Sequence, residues 1–335
     1  MKMNEYVGDN YQLCGAYSYE RLEGKAKGMT FYHLKNGKGL EMDVSLDRNA
    51  DISSLSFKGI NLSYLSPCGY VASSYYDDKG DGFLKSFTAG FLTTCGLTTF
   101  GSPSVDAGES LPLHGTIANT PCSHSFYLVN EDEILVHSLT KDETIFTHKL
   151  VLKRKIAMSL SSNRFILEDQ VINNGDKITP LMLLYHINLG YPFLDENLLL
   201  HIPSISIRGR TPNAEKSIET ALKMEKPTPG YVERCYYHKI KNRAHVYTFN
   251  KKLNIGLELS FDTKDLPCFT EWKMMGIRDY VLGIEPGTNY PDGRAAARKE
   301  NVLSFLAPGE EKKFRVEIEM FEGYETYQKL TKEGK

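Results

Sequence analysis

Two histidines and one carboxylate, far apart along the chain, have the types and local settings that proton transfer requires. His186 lies in the run Thr179-Pro180-Leu181-Met182-Leu183-Leu184-Tyr185-His186-Ile187-Asn188-Leu189. With the period of two of a strand, Met182, Leu184, His186 and Asn188 share one face, and Leu183, Tyr185, Ile187 and Leu189 share the other. Register fixes which face of a strand is buried, so this imidazole belongs at the mouth of a core rather than on an ordinary surface. Glu285 ends a second apolar run, Tyr280-Val281-Leu282-Gly283-Ile284-Glu285, and Pro286 stops it because proline has no N–H for the ladder. Gly283 shares the face of Glu285 and leaves room against the backbone. His114 stands in Leu111-Pro112-Leu113-His114-Gly115, directly after a glycine-rich segment.

Two reactions use such a trio. A histidine and a carboxylate flanking a sugar ring can open its hemiacetal, one protonating the ring oxygen while the other removes the anomeric hydroxyl proton. Reclosure on the opposite face then exchanges the anomers. That chemistry needs no metal, nucleophile or cofactor, and the ordinary pKa of histidine suits it to donate. In the alternative, His114, His186 and Glu285 bind a divalent metal and the protein is a metal-dependent sugar isomerase. No local ligand pair such as His-x-His accompanies the trio, which weighs against a metal. A third reading, from another functional class, is a sugar-binding module with no catalysis.

The elements that must position these side chains read as strands. Leu40, Met42, Val44 and Leu46 alternate with polar residues, and short strands follow at 51–57, 60–65, 125–129, 133–139, 145–152, 164–172, 181–189, 198–202, 245–249, 255–261, 279–285, 302–306 and 314–320. Turn pairs such as Asn36-Gly37, Asp292-Gly293 and Pro308-Gly309 separate many of them. Helical periodicity is confined to 214–225, 294–300 and 323–331. This predicts an all-β chain built of two stacked antiparallel sheets, a single domain over 1–335 with N-terminal strands or arm at 1–34 and a tail at 321–335. The Gly/Ser/Thr-rich segment 79–110 reads as a long irregular loop that borders the cleft.

Composition narrows the partner. With 335 residues, 41% hydrophobic and 24% charged, and a formal net charge of -2, the chain has material for a large core and lacks the positive field that nucleic acid or an anionic membrane requires. The expected partner is a small molecule. Six cysteines without a CxxC pair fit neither a disulfide framework nor a zinc ribbon, and Cys95 reads as a buried thiol. The N-terminal stretch lacks the apolar run of a signal peptide and no segment is apolar over a membrane's width, so the expected location is the cytoplasm. Monomer and homodimer both remain open.

The order of these motifs resembles a family. Leu113-His114-Gly115, then Asn173-Asn174 followed by Thr179-Pro180 and His186, then Gly283-Ile284-Glu285-Pro286, then Ala307-Pro308-Gly309-Glu310 is similar to the aldose 1-epimerases of the galactose mutarotase superfamily, over roughly residues 35–322. Asp47-Arg48 and Leu92-Thr93-Thr94-Cys95-Gly96 resemble one branch of it. The resemblance implies a large β-sandwich with a sugar cleft on one sheet, His186 as general acid at the ring oxygen, Glu285 as general base, and His114 as a hydrogen-bonding partner of the anomeric region. The motif after the second histidine departs from the family pattern, because Asn188 follows His186 by two positions and the aromatics come later. Further substrate contacts are expected from Arg48, Asn188, Thr94, Trp272 and Asp195, with Asp262 and Glu271 as other candidates for an acidic grip on distal hydroxyls. Lys273 and Arg294 raise the option of an acidic or phosphorylated sugar.

Overall fold

The computed structural model describes residues 5–333, so the outermost parts of the expected arm and tail, 1–4 and 334–335, lie outside the described residues. Two large sheets dominate. The first has eight strands in the spatial order His124–Val129, Glu133–Glu143, Lys149–Ser159, Arg164–Asn173, Glu311–Glu322, Ile255–Asp262, Arg243–Asn250, Leu198–His201. The second runs Ser204–Gly209, Arg234–Ile240, Cys268–Met275, Tyr280–Gly287, Thr179–Leu189, Ser304–Leu306, with Leu92–Leu97 also paired to Thr179–Leu189. All of these ladders are antiparallel. The expected all-β sandwich is therefore what the chain forms. A five-stranded meander over Gly15–Asn61 packs into the same core, and its strand Leu40–Ser45 buries Leu40, Met42 and Val44 as the alternation predicts.

The core lies between the two large sheets because each has one continuous apolar face. Leu181, Leu183, Tyr185, Ile187 and Leu189 from one sheet meet Leu152, Ile156, Leu167, Val316, Ile318, Leu257 and Leu259 from the other in a single buried cluster. At roughly 1.5–3 kcal/mol for each fully buried large aliphatic side chain, this face decides the register of the Thr179–Leu189 strand, since a one-residue slip would expose all five. The opposite face is thereby committed to carry Met182, Leu184, His186 and Asn188.

Two local expectations change. The segment 79–110 is not one irregular loop: its centre, Leu92–Leu97, is a fully buried strand beside Thr179–Leu189. Its polar residues disguised it, yet β-branched threonines fit a pleated surface, and their hydroxyls are satisfied inside, Thr93 donating to the Ala89 carbonyl (2.8 Å) and Thr94 to Asp51 (2.6 Å). The 214–225 helix is cut to Pro212–Glu215, capped by Thr211, and then a single tight turn at Ile218–Thr220. The buried Lys273 ammonium takes the carbonyls of Thr220, Ala221 and Lys223, so the chain folds around a cation instead of continuing as a helix. Arg294–Lys299 and Tyr324–Glu333 are helical, close to the expected bounds. Within the described residues no helix is long and apolar enough to cross a membrane.

Candidate active site

The site is a product of register. Ile187 lies opposite Ile284 and Asn188 opposite Gly283, which puts His186 and Glu285 directly across from one another on the face turned away from the core. Thr93 extends the same row on one side and Thr270 on the other. Directly opposed side chains on one face have Cβ atoms about 4.5–5.5 Å apart, and here the functional atoms meet: His186 Nε2 stands 3.3 Å from Glu285 Oε1. The expectation that the two flank a sugar ring from opposite sides is therefore corrected. They stand side by side on one wall. Gly283 makes the contact possible, because a Cβ there would fall 2.3 Å from Glu285 Oε1 and 2.9 Å from Trp272 Cβ.

Both groups are nearly sealed, with His186 5% and Glu285 2% exposed. Burial drives the imidazole pKa down to about 4, with the Asn188 hydrogen bond opposing. Burial likewise pushes the Glu285 carboxyl well above the usual carboxylate range, Glu233 adding to the rise and Arg210 resisting it. Each group thus favours its neutral form, and the pair holds one proton.

His114 reaches the same place from a turn. Its ring centroid is 5.4 Å from that of His186 at 78°, and Phe83 packs on its other side at 5.1 Å. Its φ of 60° is a left-handed conformation uncommon outside glycine, held by His114 N–H donating to the Gly101 carbonyl (2.9 Å) and by Gly96 N–H donating to the His114 carbonyl (3.2 Å). Gly115 is required next to it, since a Cβ there would lie 2.3 Å from the Gly96 oxygen and 2.4 Å from that of Thr99. Burial, then the neighbouring His186 and Arg210, hold the His114 pKa well below the ordinary value. A neutral imidazole results, and its Nδ1 has no partner.

These side chains open into a cleft of about 920 Å³ that holds His114, His186, Glu285 and Trp272 together. Phe87 and Trp272 frame His186 edge to face, at centroid distances of 5.4 and 5.1 Å. Trp272 is fixed by Nε1–H donating to Glu233 (2.8 Å). Sequence reasoning missed Arg210, Glu233, Asp279, Thr270 and Phe87, all of which line the cleft. Strand alternation through Trp272 would have reached Thr270, and alternation back from Glu285 along the expected strand 279–285 would have reached Asp279; Arg210, Glu233 and Phe87 sit on segments with no periodic signal. Arg210 is the guanidinium of the cleft wall, donating to Asp292 (3.2 Å) and Ser102 (2.7 Å).

Other expected contacts lie elsewhere. Arg48 is buried and donates to the Val71 carbonyl (2.9 Å), outside the cleft. Thr94 faces the sandwich interior, where its hydroxyl donates to Asp51 (2.6 Å) and accepts from Arg154 (2.7 Å). Asp195 is spent on a turn, accepting from the Asn197 N–H (2.8 Å) and from Asn250 (2.8 Å). Asn188 is fully buried behind the imidazole, its Oδ1 2.7 Å from His186 Nδ1, and does not line the cleft. Among the acidic alternatives, Asp262 caps a turn at Lys264, and Glu271 is sealed with His238 on the far face of its strand. Lys273 and Arg294 offer no charge to a ligand: the first holds backbone carbonyls and Glu225, the second Asp106 and Glu109. Among the described residues no group of three His, Cys, Asp or Glu side chains could hold a metal ion.

Comparison with known proteins agrees with this architecture. A family model described as a domain of unknown function, DUF4432, matches residues 26–320. No match to a curated protein was found. A solved structure of a candidate aldose 1-epimerase from Klebsiella pneumoniae subsp. pneumoniae is 24% identical with a TM-score of 0.89, the match covering 97% of this chain and 89% of that one. A galactose mutarotase-like protein from Clostridium acetobutylicum is 13% identical, TM-score 0.68, with 93% and 100% covered. A galactose 1-epimerase from Lactobacillus acidophilus is 14% identical, TM-score 0.60, with 93% and 100% covered. At such identities the likeness is one of fold, the galactose mutarotase-like sandwich.

Proposed function

The chain belongs to the DUF4432 family and has the galactose mutarotase-like fold, and from that premise we propose that it is a cofactor-free sugar mutarotase, interconverting the anomers of an aldose or modified sugar. It would act as one domain on a small-molecule sugar in the cytoplasm. The observation that carries the reading is the opposed His186–Glu285 pair, one proton between two neutral-leaning groups, at the wall of a cleft whose volume of about 920 Å³ can hold a pyranose.

Geometry suits the hemiacetal. The ring oxygen and the anomeric oxygen are bonded to the same carbon, so the proton donor and acceptor that serve them must be neighbours, as side chains 3.3 Å apart are. Passing the shared proton to His186 gives imidazolium and carboxylate. The imidazolium donates to the ring oxygen while the carboxylate takes the anomeric hydroxyl proton. The bond from the anomeric carbon to the ring oxygen breaks, its electron pair staying on that oxygen, and the O–H pair becomes the new carbonyl π bond. This leaves neutral His186 and protonated Glu285, the form that burial favours at rest, so the open-chain aldehyde is held over a relaxed pair. Rotation about the bond from the carbonyl carbon to its neighbour and the reverse transfers close the other anomer. His114, neutral and with a free Nδ1, is placed to hydrogen-bond the oxygen whose charge changes. Trp272 and Phe87 offer apolar faces to the sugar ring.

The test is anomer exchange followed by NMR over a panel of reducing sugars, with the wild type and Glu285→Gln. A mutarotase accelerates exchange for at least one sugar and loses it in the variant while still binding. Binding without exchange by the wild type would make the protein a sugar-binding module and end the proposal.

A further inference from the structure

Asn188 was expected to touch substrate, yet it sits behind the ring, two residues further along the same strand and on the same face. We propose that Asn188 is the positioning residue of this site: it accepts the Nδ1 proton of His186 and so holds the imidazole in the tautomer whose bare Nε2 faces Glu285. The amide has only one orientation available. Its Nδ2 donates to the main-chain carbonyl of His186 (2.9 Å), which turns Oδ1 toward Nδ1 at 2.7 Å. An amide oxygen can only accept, so the proton of that hydrogen bond is on Nδ1. A neutral imidazole carries one N–H, and Nε2 is therefore left with a bare lone pair 3.3 Å from Glu285 Oε1, an oxygen that has no hydrogen-bond partner. An ionised carboxylate there would set lone pair against lone pair, whereas a protonated one would have an O–H to turn toward Nε2.

Asn188 thus decides where the pair's proton can sit, although it is fully buried and lies outside the cleft wall. With an unpaired Nδ1–H the other tautomer would win, its Nε2–H pointing at Glu285, and the imidazole could no longer take a proton from that side. The charged and titratable groups facing the pair are His114 from its turn, Cys95 from the neighbouring strand, and Cys235, Glu233 and Arg210 from the cleft wall. None of them hydrogen-bonds Nδ1, and Asn188 does.

The kinetic consequence rests on the mutarotase reading, but the tautomer does not, so the experiment has two independent arms. In the first, ¹⁵N NMR of histidine-labelled protein near pH 7 reads His186 directly. The wild type should show protonated Nδ1 and bare Nε2, and Asn188→Leu should shift population to the Nε2–H form. Asn188→Asp keeps an acceptor of the same shape and should keep Nδ1 protonated while raising the pH at which the ring titrates. That variant carries the arm alone should Asn188→Leu not fold. A wild-type ring with Nε2 protonated, or a His186 titration unmoved in Asn188→Asp, overturns the proposal. In the second arm, with a sugar found to be turned over, Asn188→Leu should lower kcat by roughly 10- to 100-fold with KM nearly unchanged, as misplacing one catalytic group does, and Asn188→Asp should recover part of it. A rise in KM alone would return Asn188 to a substrate contact. If no sugar exchanges, the function reading fails and the NMR arm still decides this one.

Discussion

Two buried polar clusters lie on opposite faces of the Thr179–Leu189 strand, and they are built to different rules. On the core side, Arg154 donates to both oxygens of Asp169 (2.9 and 2.7 Å), to Asp51 (2.7 Å) and to Thr94 (2.7 Å), and the Tyr185 hydroxyl closes the set on Asp169 (2.9 Å). No polar side-chain atom of those five residues is without a partner. On the cleft side, one residue further along the strand, His186 and Glu285 meet at 3.3 Å, and His114 Nδ1, Glu285 Oε1 and Thr270 Oγ1 have no hydrogen-bond partner. Saturated burial fixes a strand, and unsaturated burial beside a cleft awaits a ligand. A second histidine–glutamate pair, His238 and Glu271, shows that the cleft matters as much as the missing partner: Ser204 takes the other ring nitrogen at 2.7 Å, Glu271 Oε1 is left without a partner as Glu285 Oε1 is, but neither residue lines the cleft.

This contrast can be broken by substitution. The largest effect expected is on the cleft side, where Glu285→Gln should reduce anomer exchange by roughly 100- to 10,000-fold, the usual range for losing a general acid–base group. Relative to the wild type, the same variant should become the more stable as pH rises. Glu285 has a folded pKa raised above its unfolded value, so its contribution to stability is fully present below the unfolded value and is lost as pH rises through the folded one; glutamine has no such loss. Thermal melts from pH 5 to pH 9 compare the two, and a variant that is less stable than the wild type throughout would contradict the assignment. The core-side counterpart is Arg154→Met. Leaving Asp51 and Asp169 buried without their cation should cost about 3–5 kcal/mol, read as a fall in the urea midpoint. If that variant kept its stability and lost only activity, the division between the two faces would be wrong.

Smaller effects sharpen the comparison. Gly283→Ala places a methyl 2.3 Å from Glu285 Oε1, so the carboxylate must leave the imidazole, and exchange should fall by up to about 100-fold while the far-UV spectrum stays unchanged. Activity that survived intact would mean the His186–Glu285 contact is dispensable. The pH profile of kcat/KM should be a bell, because the pair works with one proton: its acid limb falls near pH 4, where His186 gains a second, and its alkaline limb marks loss of the raised Glu285 proton. A single-limbed profile across that range would argue against a shared proton. Least costly is Trp272→Leu, which removes an aromatic face worth about 0.5–1.5 kcal/mol and should raise KM a few-fold to about tenfold with kcat nearly constant.

Alternation and turn chemistry alone determined that the chain is an all-β sandwich, which faces of the Thr179–Leu189 and Tyr280–Gly287 strands are apolar, and that His186 and Glu285 lie on the other faces, because a period of two leaves no freedom once one face is buried. The local setting of His114 between a proline and a glycine singled it out as well, and the family resemblance added only its role. What tertiary structure decided is everything that depends on partners distant in sequence. It made His186 and Glu285 neighbours on one wall through inter-strand register, which no single strand encodes. It turned the threonine-rich Leu92–Leu97 from an apparent loop into a buried strand by giving its hydroxyls Asp51 and Ala89. It withdrew Arg48, Thr94 and Asp195 into internal hydrogen bonds and brought Arg210 and Glu233 to the cleft instead. The physical reason is the range of the forces: apolar patterning acts along the chain, whereas the partner that satisfies a buried polar group is chosen only when separate strands come together.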